Sequence, residues 1–384
     1  MTAISYQTAA PADSPQPAWK SGLLSAIRNP RIAVGGAILL VIAGACLISL
    51  PLTTNPQHAL YYDGQFDHPV RAAPAASPAL WFGTDTKGRS ILGRCLLGGV
   101  ISLSVGLAAA VISVVLGVTV GLISGFRGGW VDSLLMRAVD VMYGLPYILL
   151  VILLKMALDR HPSLVAGWWT DALLMIVAVA VGGVTLLARS RDAAAVGALD
   201  ARRSLVKGFL LTLAVGLALL ALAGPLPNVP LTMSQTNIVV LFLAIGLVSW
   251  LTMARVIRGQ VLSLRGQPFV EAARAVGLRE SRIFLRHILP NLVGPITVYT
   301  TLTIPQAILQ ESFLSFLGIG VLPPMPSWGG LASENRLAAL DLTNPQWWML
   351  VFPCILLALT LLSLNFVGDG LRDLFDPKSE TTKL

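Results

Sequence analysis

The sequence predicts an all-α protein that crosses a membrane several times. Of its 384 residues, 55% are hydrophobic and only 12% are charged, and the mean hydropathy is +0.75. Soluble domains carry about 25% charged residues, so this chain is too apolar for water. Its hydrophobic residues are gathered into runs near the roughly 20 residues that a helix needs to cross a bilayer. These observations predict a polytopic membrane protein.

Eight apolar runs are each predicted to form one spanning helix. They are Ile32–Leu50, Leu97–Ser124, Leu134–Leu158, Trp168–Ala188, Val206–Ala223, Ile238–Ala254, Pro295–Gly318 and Trp347–Gly368. The fourth and fifth runs are near the short limit for a span. Removing both of them leaves the orientation of every other span unchanged.

The distribution of basic residues predicts which side each loop occupies. With the N-terminus in the cytoplasm, twenty of the 27 lysines and arginines fall in inner segments. This excess satisfies the positive-inside rule and places both chain ends in the cytoplasm. It also accounts for the net charge of +8. Nucleic-acid binding is not needed to explain this charge, because no recognition motif for nucleic acid accompanies the basic residues. Tryptophan pairs at 168–169 and 347–348 lie at predicted outer boundaries, as interfacial anchors do.

These spans divide the chain into five predicted regions. They are a cytoplasmic tail over 1–30, a first transmembrane helix over 31–50, an external loop over 51–96, a transmembrane domain over 97–368 and a cytoplasmic tail over 369–384. Within the second span, small residues recur every four positions at Ala109, Ser113, Gly117, Gly121 and Gly125. That spacing lines one helical face with small side chains and predicts close helix packing.

The inner loop over 255–294 has an amphipathic pattern rather than that of a plain linker. Its apolar residues stand at helical spacing, with Gly277 as a helix stop, so two short helices joined at this glycine are predicted. Arginines flank the apolar positions. The residues alone leave two interpretations open: a helix held at the interface by anionic membrane lipid, or a helix that docks a partner protein.

The same loop resembles the EAA loop of ABC importer permeases. The residues that carry the resemblance are Glu271, Ala272, Ala273, Gly277, Leu289 and Pro290. The family usually has an isoleucine where His287 stands, but the run from Arg286 to Asn291 is similar to the dipeptide, oligopeptide and nickel branch. By resemblance, the short helix around Glu271 would seat in a cleft of a separate ATP-binding subunit. Ala272 and Ala273 would keep that helix slim at the contact.

Three further stretches resemble that branch, so the likeness covers most of the chain. They are 82–90 continuing to 101–103, 311–320 with the prolines and tryptophan up to 329, and 368–377. Two positions depart from the usual pattern. Ser90 stands where an aspartate is common, and Val100 stands where an arginine is common.

The resemblance implies a type I ABC importer permease fold and a defined assembly in a bacterial inner membrane. The family commonly has six spans, so residues 158–236 would be an inserted helical hairpin. The implied partners are a homologous second permease, two ABC ATP-binding subunits, an extracytoplasmic solute-binding protein and membrane lipid. ATP and Mg would be bound by the ATP-binding subunits, with no cofactor or metal in this chain. The implied cargo is a peptide, nickel or a related small solute.

A sequence close to a phosphate-binding loop occurs at Gly83-x-x-x-x-Gly88-Arg89-Ser90. We reject it as a nucleotide site, because Arg89 replaces the lysine that reaches the phosphates and no buried strand precedes Gly83. The predicted topology also places it outside, where ATP is absent. A turn leading into the next helix explains the pattern, and no catalytic residue is predicted.

Ionisable residues within spans are costly and call for a functional hypothesis. Glu311 lies beside Gln310 deep in the seventh run, and Asp140 and Lys155 lie in the third. Glu311 and Gln310 are candidates for the translocation path, but a hydrogen bond from Glu311 to another helix is an equal alternative. Prolines at 146 and 305 could kink their helices.

Two other classes of function are less well supported by the sequence. An ion-coupled secondary transporter, the main alternative, would normally show internal repeats or broken helices around central charges. A membrane enzyme would need a cluster of reactive side chains at one depth, but the four histidines are dispersed. The three cysteines, at 46, 95 and 354, are scattered as well and receive no chemical role.

Overall fold

A computed structural model describes residues 29–160 and 233–375, and every regular element in these ranges is helical. The helices are α1 Pro30–Ile48, α2 Leu50–Thr53, α3 Ile91–Arg127, α4 Gly129–Tyr143, α5 Tyr147–Asp159, α6 Met233–Arg265, α7 Pro268–Ala275, α8 Glu280–Ile283, α9 Leu289–Phe316, α10 Trp328–Ala339 and α11 Trp348–Phe375. A 3-10 turn spans Pro78–Leu80, and a π-helical turn over Phe284–Ile288 joins α8 to α9.

Five of these helices are long and apolar enough to cross a membrane: α1, α3, α6, α9 and α11. They confirm the first, second, sixth, seventh and eighth predicted spans. The fourth and fifth predicted spans lie outside the described residues, as do 1–28 and 376–384 of the predicted tails.

The third predicted span, Leu134–Leu158, is wrong as a single helix. The chain forms α4 and α5, which meet at a bend of 95°. Pro146 lacks a backbone N–H and disfavours helical geometry at Leu145, so the helix ends before it and α5 begins after it. Together α4 and α5 make at most one broken span or a re-entrant segment.

The centre of the bundle is the contact between α3 and α6, which run side by side in the same direction. A side-chain carbon on Gly117 would lie 2.5 Å from the Cβ of Met253, and one on Gly121 would lie 2.7 Å from the carbonyl oxygen of Ala254. Only glycine permits such an approach. The small-residue pattern of this span therefore serves helix packing, as predicted.

The two ends of the bundle differ in character. At one end, called the α7 end, α6 passes through α7 and α8 into α9. At the other, called the α10 end, the loop that precedes α3 packs against α10. Here Asp85, Arg89 and Arg94 are almost fully buried, and both arginines also pair with Glu334 of α10. Arg89 is thus enclosed in an ion-pair cluster, and Ser90 caps α3. The residues that resemble a phosphate-binding loop therefore have structural roles.

Candidate functional site

The first candidate site is the segment that contains α7 and α8. Its local sequence explains why α7 forms. Pro268 occupies the first turn after an extended Gln267, Glu271 lies in the first turn and Arg274 in the last. An acidic residue near the N-terminus and a basic one near the C-terminus both complement the helix dipole. Two short helices joined at a glycine are present here, as the pattern predicts.

The two faces of α7 have different surroundings. Val270 and Ala273 are buried in an apolar cluster with Ile257 of α6, Ile283 of α8 and further apolar residues of α3, α6 and α9. Glu271, Ala272 and Val276 are exposed on the opposite face, and Val276 is 81% accessible. The buried face fixes α7 to the bundle. The exposed face, small and partly apolar with one carboxylate, is open to a partner.

The end of α7 is a left-handed turn at Gly277. Its φ is +79°, its N–H donates to the carbonyl of Arg274 at 2.9 Å, and the N–H of Leu278 donates to the carbonyl of Ala273 at 3.1 Å. This pair of hydrogen bonds is the Schellman arrangement that ends many helices at glycine. A side-chain carbon at Gly277 would meet nothing within 4 Å. The position therefore needs glycine for its backbone conformation rather than for space within this chain.

An ion pair spans the same turn. Arg274 Nε donates to Glu280 Oε1 at 2.8 Å, which connects α7 to α8. This hydrogen bond lowers the pKa of Glu280 and outweighs burial, which acts in the opposite direction. Because both side chains are well exposed, we expect the pair to orient α8 rather than to contribute much stability.

A π-helical turn then connects α8 to α9. It covers Phe284–Ile288, and Asn291 returns to it by donating from Nδ2 to the carbonyl of His287 at 2.6 Å. Such turns are often found at functional positions. Leu289 and Pro290 form the first turn of α9. The α7–α8 segment is therefore continuous with α6 on one side and α9 on the other.

The second candidate site is a cavity of about 370 Å³ between the α4–α5 bend, α6 and α9. The hydrogen-bonding side chains in its wall are all uncharged. Among the residues that the structure describes, they are Tyr143, Tyr147, Ser249, Thr252, Tyr299, Thr303, Gln306 and Gln310. The rest of the wall is mainly Leu, Met and Val. Such a wall can accept a polar solute by hydrogen bonds without imposing one sign of charge.

Tyr147 closes the cavity towards the α10 end. Its hydroxyl donates to Gln310 Oε1 at 2.6 Å and lies 3.1 Å from Ser249 Oγ, so one side chain contacts both α6 and α9. Beyond it, Val151, Leu241, Ile245 and other apolar residues pack together. Neither Tyr147 nor Ser249 belongs to a motif that could be recognised in the sequence. The proline before Tyr147 was the only local signal, and the pairing depends on helices far apart in the chain.

The structure separates the two candidate path residues. Gln310 lines the cavity, whereas Glu311 is fully buried on another side of α9. The Glu311 carboxylate accepts hydrogen bonds from Ser102 of α3 at 2.9 Å and from Ser315 at 2.7 Å. The bond to Ser102 joins α9 to α3, which matches the alternative interpretation that Glu311 makes a hydrogen bond between helices.

The two other ionisable residues of the predicted third span are also paired. Asp140 accepts from Arg255 at 2.7 Å, and Lys155 donates to Asp159 at 2.7 Å. In the part of the chain that the structure describes, no group of three His, Cys, Asp or Glu side chains is placed to hold a metal ion.

Comparison with known proteins gives a consistent result. Residues 117–200 and 204–381 match the family described as binding-protein-dependent transport system inner membrane component. The chain is 38% identical over 309 residues to the oligopeptide transport system permease protein OppC of Haemophilus influenzae, covering 80% of this chain and 74% of that protein. It is 33% identical over 360 residues to OppC of Bacillus subtilis, with coverages of 94% and 90%. It is 34% identical over 298 residues to the dipeptide transport system permease protein DppC of Bacillus subtilis, with coverages of 78% and 68%.

Proposed function

Because this chain belongs to the family of binding-protein-dependent transport system inner membrane components, and is thus the permease subunit of an ABC importer, we propose that it imports peptides. Its relatives are named for oligopeptide and dipeptide transport, which supports this cargo. The uncharged hydrogen-bonding wall of the cavity also suits peptides, since their backbone amides are common to every sequence. Nickel is less compatible with this wall, because the described residues that line it offer no carboxylate, imidazole or thiol.

The proposed assembly contains this chain, a homologous second permease, two ABC ATP-binding subunits and an extracytoplasmic solute-binding protein. ATP and Mg would bind to the ATP-binding subunits. Both chain ends would lie in the bacterial cytoplasm, with the α7 end inside and the α10 end outside. The positive-inside distribution supports this orientation, because the loop between α6 and α9 is rich in arginine.

One observation carries the proposed mechanism. The α7–α8 segment joins α6 to α9, and both of these helices line the cavity. Val270 and Ala273 fix α7 to the bundle, while Glu271 and Ala272 face outwards. An ATP-binding subunit seated on the outward face would move α7 as it closes, and α6 and α9 would move with it. Gly277 forms the turn between α7 and α8, and the segment meets α9 at Leu289 and Pro290.

Gln310 and Glu311 have different roles in this proposal. Gln310 contacts solute in the path and holds Tyr147 when the cavity is closed towards the α10 end. Glu311 keeps α9 aligned with α3 through Ser102. Access to the cavity from outside requires the contact between Tyr147 and Gln310 to break, and access from inside requires it to re-form.

Uptake by the reconstituted complex tests the proposal. Proteoliposomes that contain the complex, with the binding protein outside, should accumulate a labelled peptide when ATP is enclosed. Uptake should stop without ATP even when a proton or sodium gradient is present. Continued uptake driven by the gradient alone would favour an ion-coupled secondary transporter instead.

A single substitution tests the docking face. Ala272→Trp places a large side chain on the exposed face of α7, so it should leave the bundle intact but prevent retention of the ATP-binding subunits during purification. Ala73→Trp, at an exposed position of the loop before α3, is the matched control and should retain them. Equal retention in both variants would contradict the assignment of this face.

A further inference from the structure

The arginines of α6, α7 and α8 differ in what they contact. Those of α6 and α7 are all engaged with a carboxylate or a carbonyl of another helix: Arg255, Arg258, Arg265 and Arg274. Three arginines that precede α9 are exposed instead, and we call them the α8 arginines: Arg279, Arg282 and Arg286. In the part of the chain that the structure describes, their side chains make no ion pair or hydrogen bond. Their charges are therefore available to a partner.

Two of the α8 arginines share one exposed face. Arg282 and Arg286 are four residues apart, a spacing that places side chains on the same side of a helical segment. Ile283 and Ile288 are fully buried in the apolar cluster that also holds α7. Arg279 adds a third charge immediately before α8. The segment is thus apolar towards the bundle and cationic towards its surroundings.

The carboxylate nearest to these arginines in the sequence is already engaged. Glu280 is the one acidic residue between positions 279 and 288, and Arg274 of α7 holds it at 2.8 Å. The exposed surface of α8 therefore carries an excess of positive charge.

The α8 arginines lie next to a helix that is longer than the core of a bilayer. The apolar helical stretch over Arg286–Phe316 has 31 residues. At 1.5 Å per residue this stretch is roughly 46 Å long. The hydrocarbon core of a bilayer is about 30 Å thick, and the bilayer is about 40–45 Å thick with its headgroups. Both ends of the stretch therefore reach the headgroup layers, and Arg286 lies at one of these ends.

An aromatic side chain lies beside these charges. Phe269 is 41% accessible, and its ring centroid is 6.3 Å from that of His287, which follows Arg286 in the chain. Exposed aromatic and basic side chains next to each other are typical of surfaces that lie at a membrane interface. This combination favours lipid over an acidic protein surface, which would match the charges alone.

We propose that the α8 arginines bind the phosphate group of an anionic phospholipid in the cytoplasmic leaflet. The inference rests on the orientation given in the proposed function, with the α7 end in the cytoplasm. The planar fork of an arginine donates to two phosphate oxygens at once. Basic residues immediately cytoplasmic of a spanning helix are attracted by the negative surface potential of that leaflet. The two interpretations that the sequence leaves open for this loop then apply to different helices, with α7 facing the ATP-binding subunit and α8 facing lipid.

Lipid titration of the purified complex tests the inference. The intact complex, stripped of lipid in a neutral detergent, should bind phosphatidylglycerol at least tenfold more tightly than phosphatidylcholine. Arg282→Gln combined with Arg286→Gln should lose most of this preference, because each basic residue near the surface strengthens the attraction by roughly fivefold. Arg71→Gln combined with Lys87→Gln removes two exposed charges from the loop before α3, so it is the matched control and should keep the preference. An unchanged preference in the first variant, or an equal loss in both, would overturn the inference.

Further measurements separate a lipid contact from a protein contact. Arg282→Lys combined with Arg286→Lys keeps both charges and should keep most of the preference, and added salt should weaken the preference of the wild type. The two glutamine variants should both retain the ATP-binding subunits during purification. Release of those subunits by Arg282→Gln with Arg286→Gln, at an unchanged lipid preference, would assign these arginines to a protein contact and overturn the inference.

Transport by the wild-type complex separates this inference from the proposed function. Absence of ATP-driven peptide uptake, or of co-purifying ATP-binding subunits, would contradict the proposed function, whereas the lipid preference is measured without ATP or peptide. A wild-type complex that transports peptide but binds both lipids equally well would refute the lipid site alone.

Discussion

Replacing Gly277 by alanine should weaken coupling through the loss of a backbone conformation. Gly277 adopts φ +79°, and a side-chain carbon there would meet nothing within 4 Å, so the new methyl group causes no clash within the chain. A residue with a side chain pays about 1–2 kcal/mol to adopt the left-handed conformation. That range reduces the population of the native α7–α8 turn, relative to its alternatives, by roughly 5- to 30-fold. ATP-driven peptide uptake and retention of the ATP-binding subunits should fall, at unchanged membrane abundance.

Two further variants make this prediction specific to the backbone. Asparagine tolerates the left-handed conformation better than alanine, so Gly277→Asn should retain more uptake than Gly277→Ala. Gly259→Ala is the matched control, because Gly259 also has open space around it but lies within α6 without a positive φ. It should transport normally. The reasoning is refuted if Gly277→Ala transports as well as Gly259→Ala, or if asparagine is no better than alanine.

Three other predictions concern the α10 end and the cavity. Asp85→Asn leaves the buried Arg89 and Arg94 with one carboxylate fewer. The loss should destabilise the fold by about 3–5 kcal/mol and lower membrane abundance. Unchanged abundance would contradict the role of the buried cluster. Burial raises the pKa of Glu334, but the facing arginines lower it more, so its net pKa lies below the usual range. The stability it contributes should be fully present above the ordinary glutamate pKa of about 4.3 and disappear as the pH falls through the depressed value. The thermal midpoints of wild type and Glu334→Gln should therefore differ at neutral pH and converge in acid, and a constant difference would count against the pairing. Tyr147→Phe removes the hydroxyl that joins α6 and α9, which should cost about 1–3 kcal/mol and alter uptake. Unaltered uptake would argue against closure by Tyr147.

The spans and the α7–α8 segment could be predicted from the sequence because their signals are local. Apolar runs of the right length give five helices directly, and Gly277 marks the end of α7 without reference to the rest of the chain. The small residues of α3 also gave a correct prediction, since a four-residue spacing of glycines has few purposes other than close packing.

The bend between α4 and α5 could not be predicted from hydropathy. Averaging over the run from 134 to 158 does not detect a three-residue turn, and a proline within a span is compatible with a mild kink as well as with a bend of 95°. The outcome depends on Asp132 and Asp140, which hold α4 against arginines of α6 more than 100 positions away in the sequence.

The roles of the polar residues depend on tertiary contacts of the same kind. Gln310 and Glu311 are adjacent in sequence, yet only Gln310 reaches the cavity, because neighbouring residues on a helix point about 100° apart. Arg89 and Arg94 both lie in the predicted external loop over 51–96, where exposure is the ordinary expectation. They are buried because Asp85 and Glu334 meet them there.

The central claim is that a separate ATP-binding subunit drives this permease through the exposed face of α7. The most direct measurement is chemical crosslinking from Ala272→Cys in the assembled complex, with and without ATP, because cysteine is small enough to keep the exposed face of α7 intact. We expect an adduct with the ATP-binding subunit whose yield changes when ATP is added. A complex that retains the ATP-binding subunits and transports peptide, but gives no such adduct from position 272, would contradict the claim.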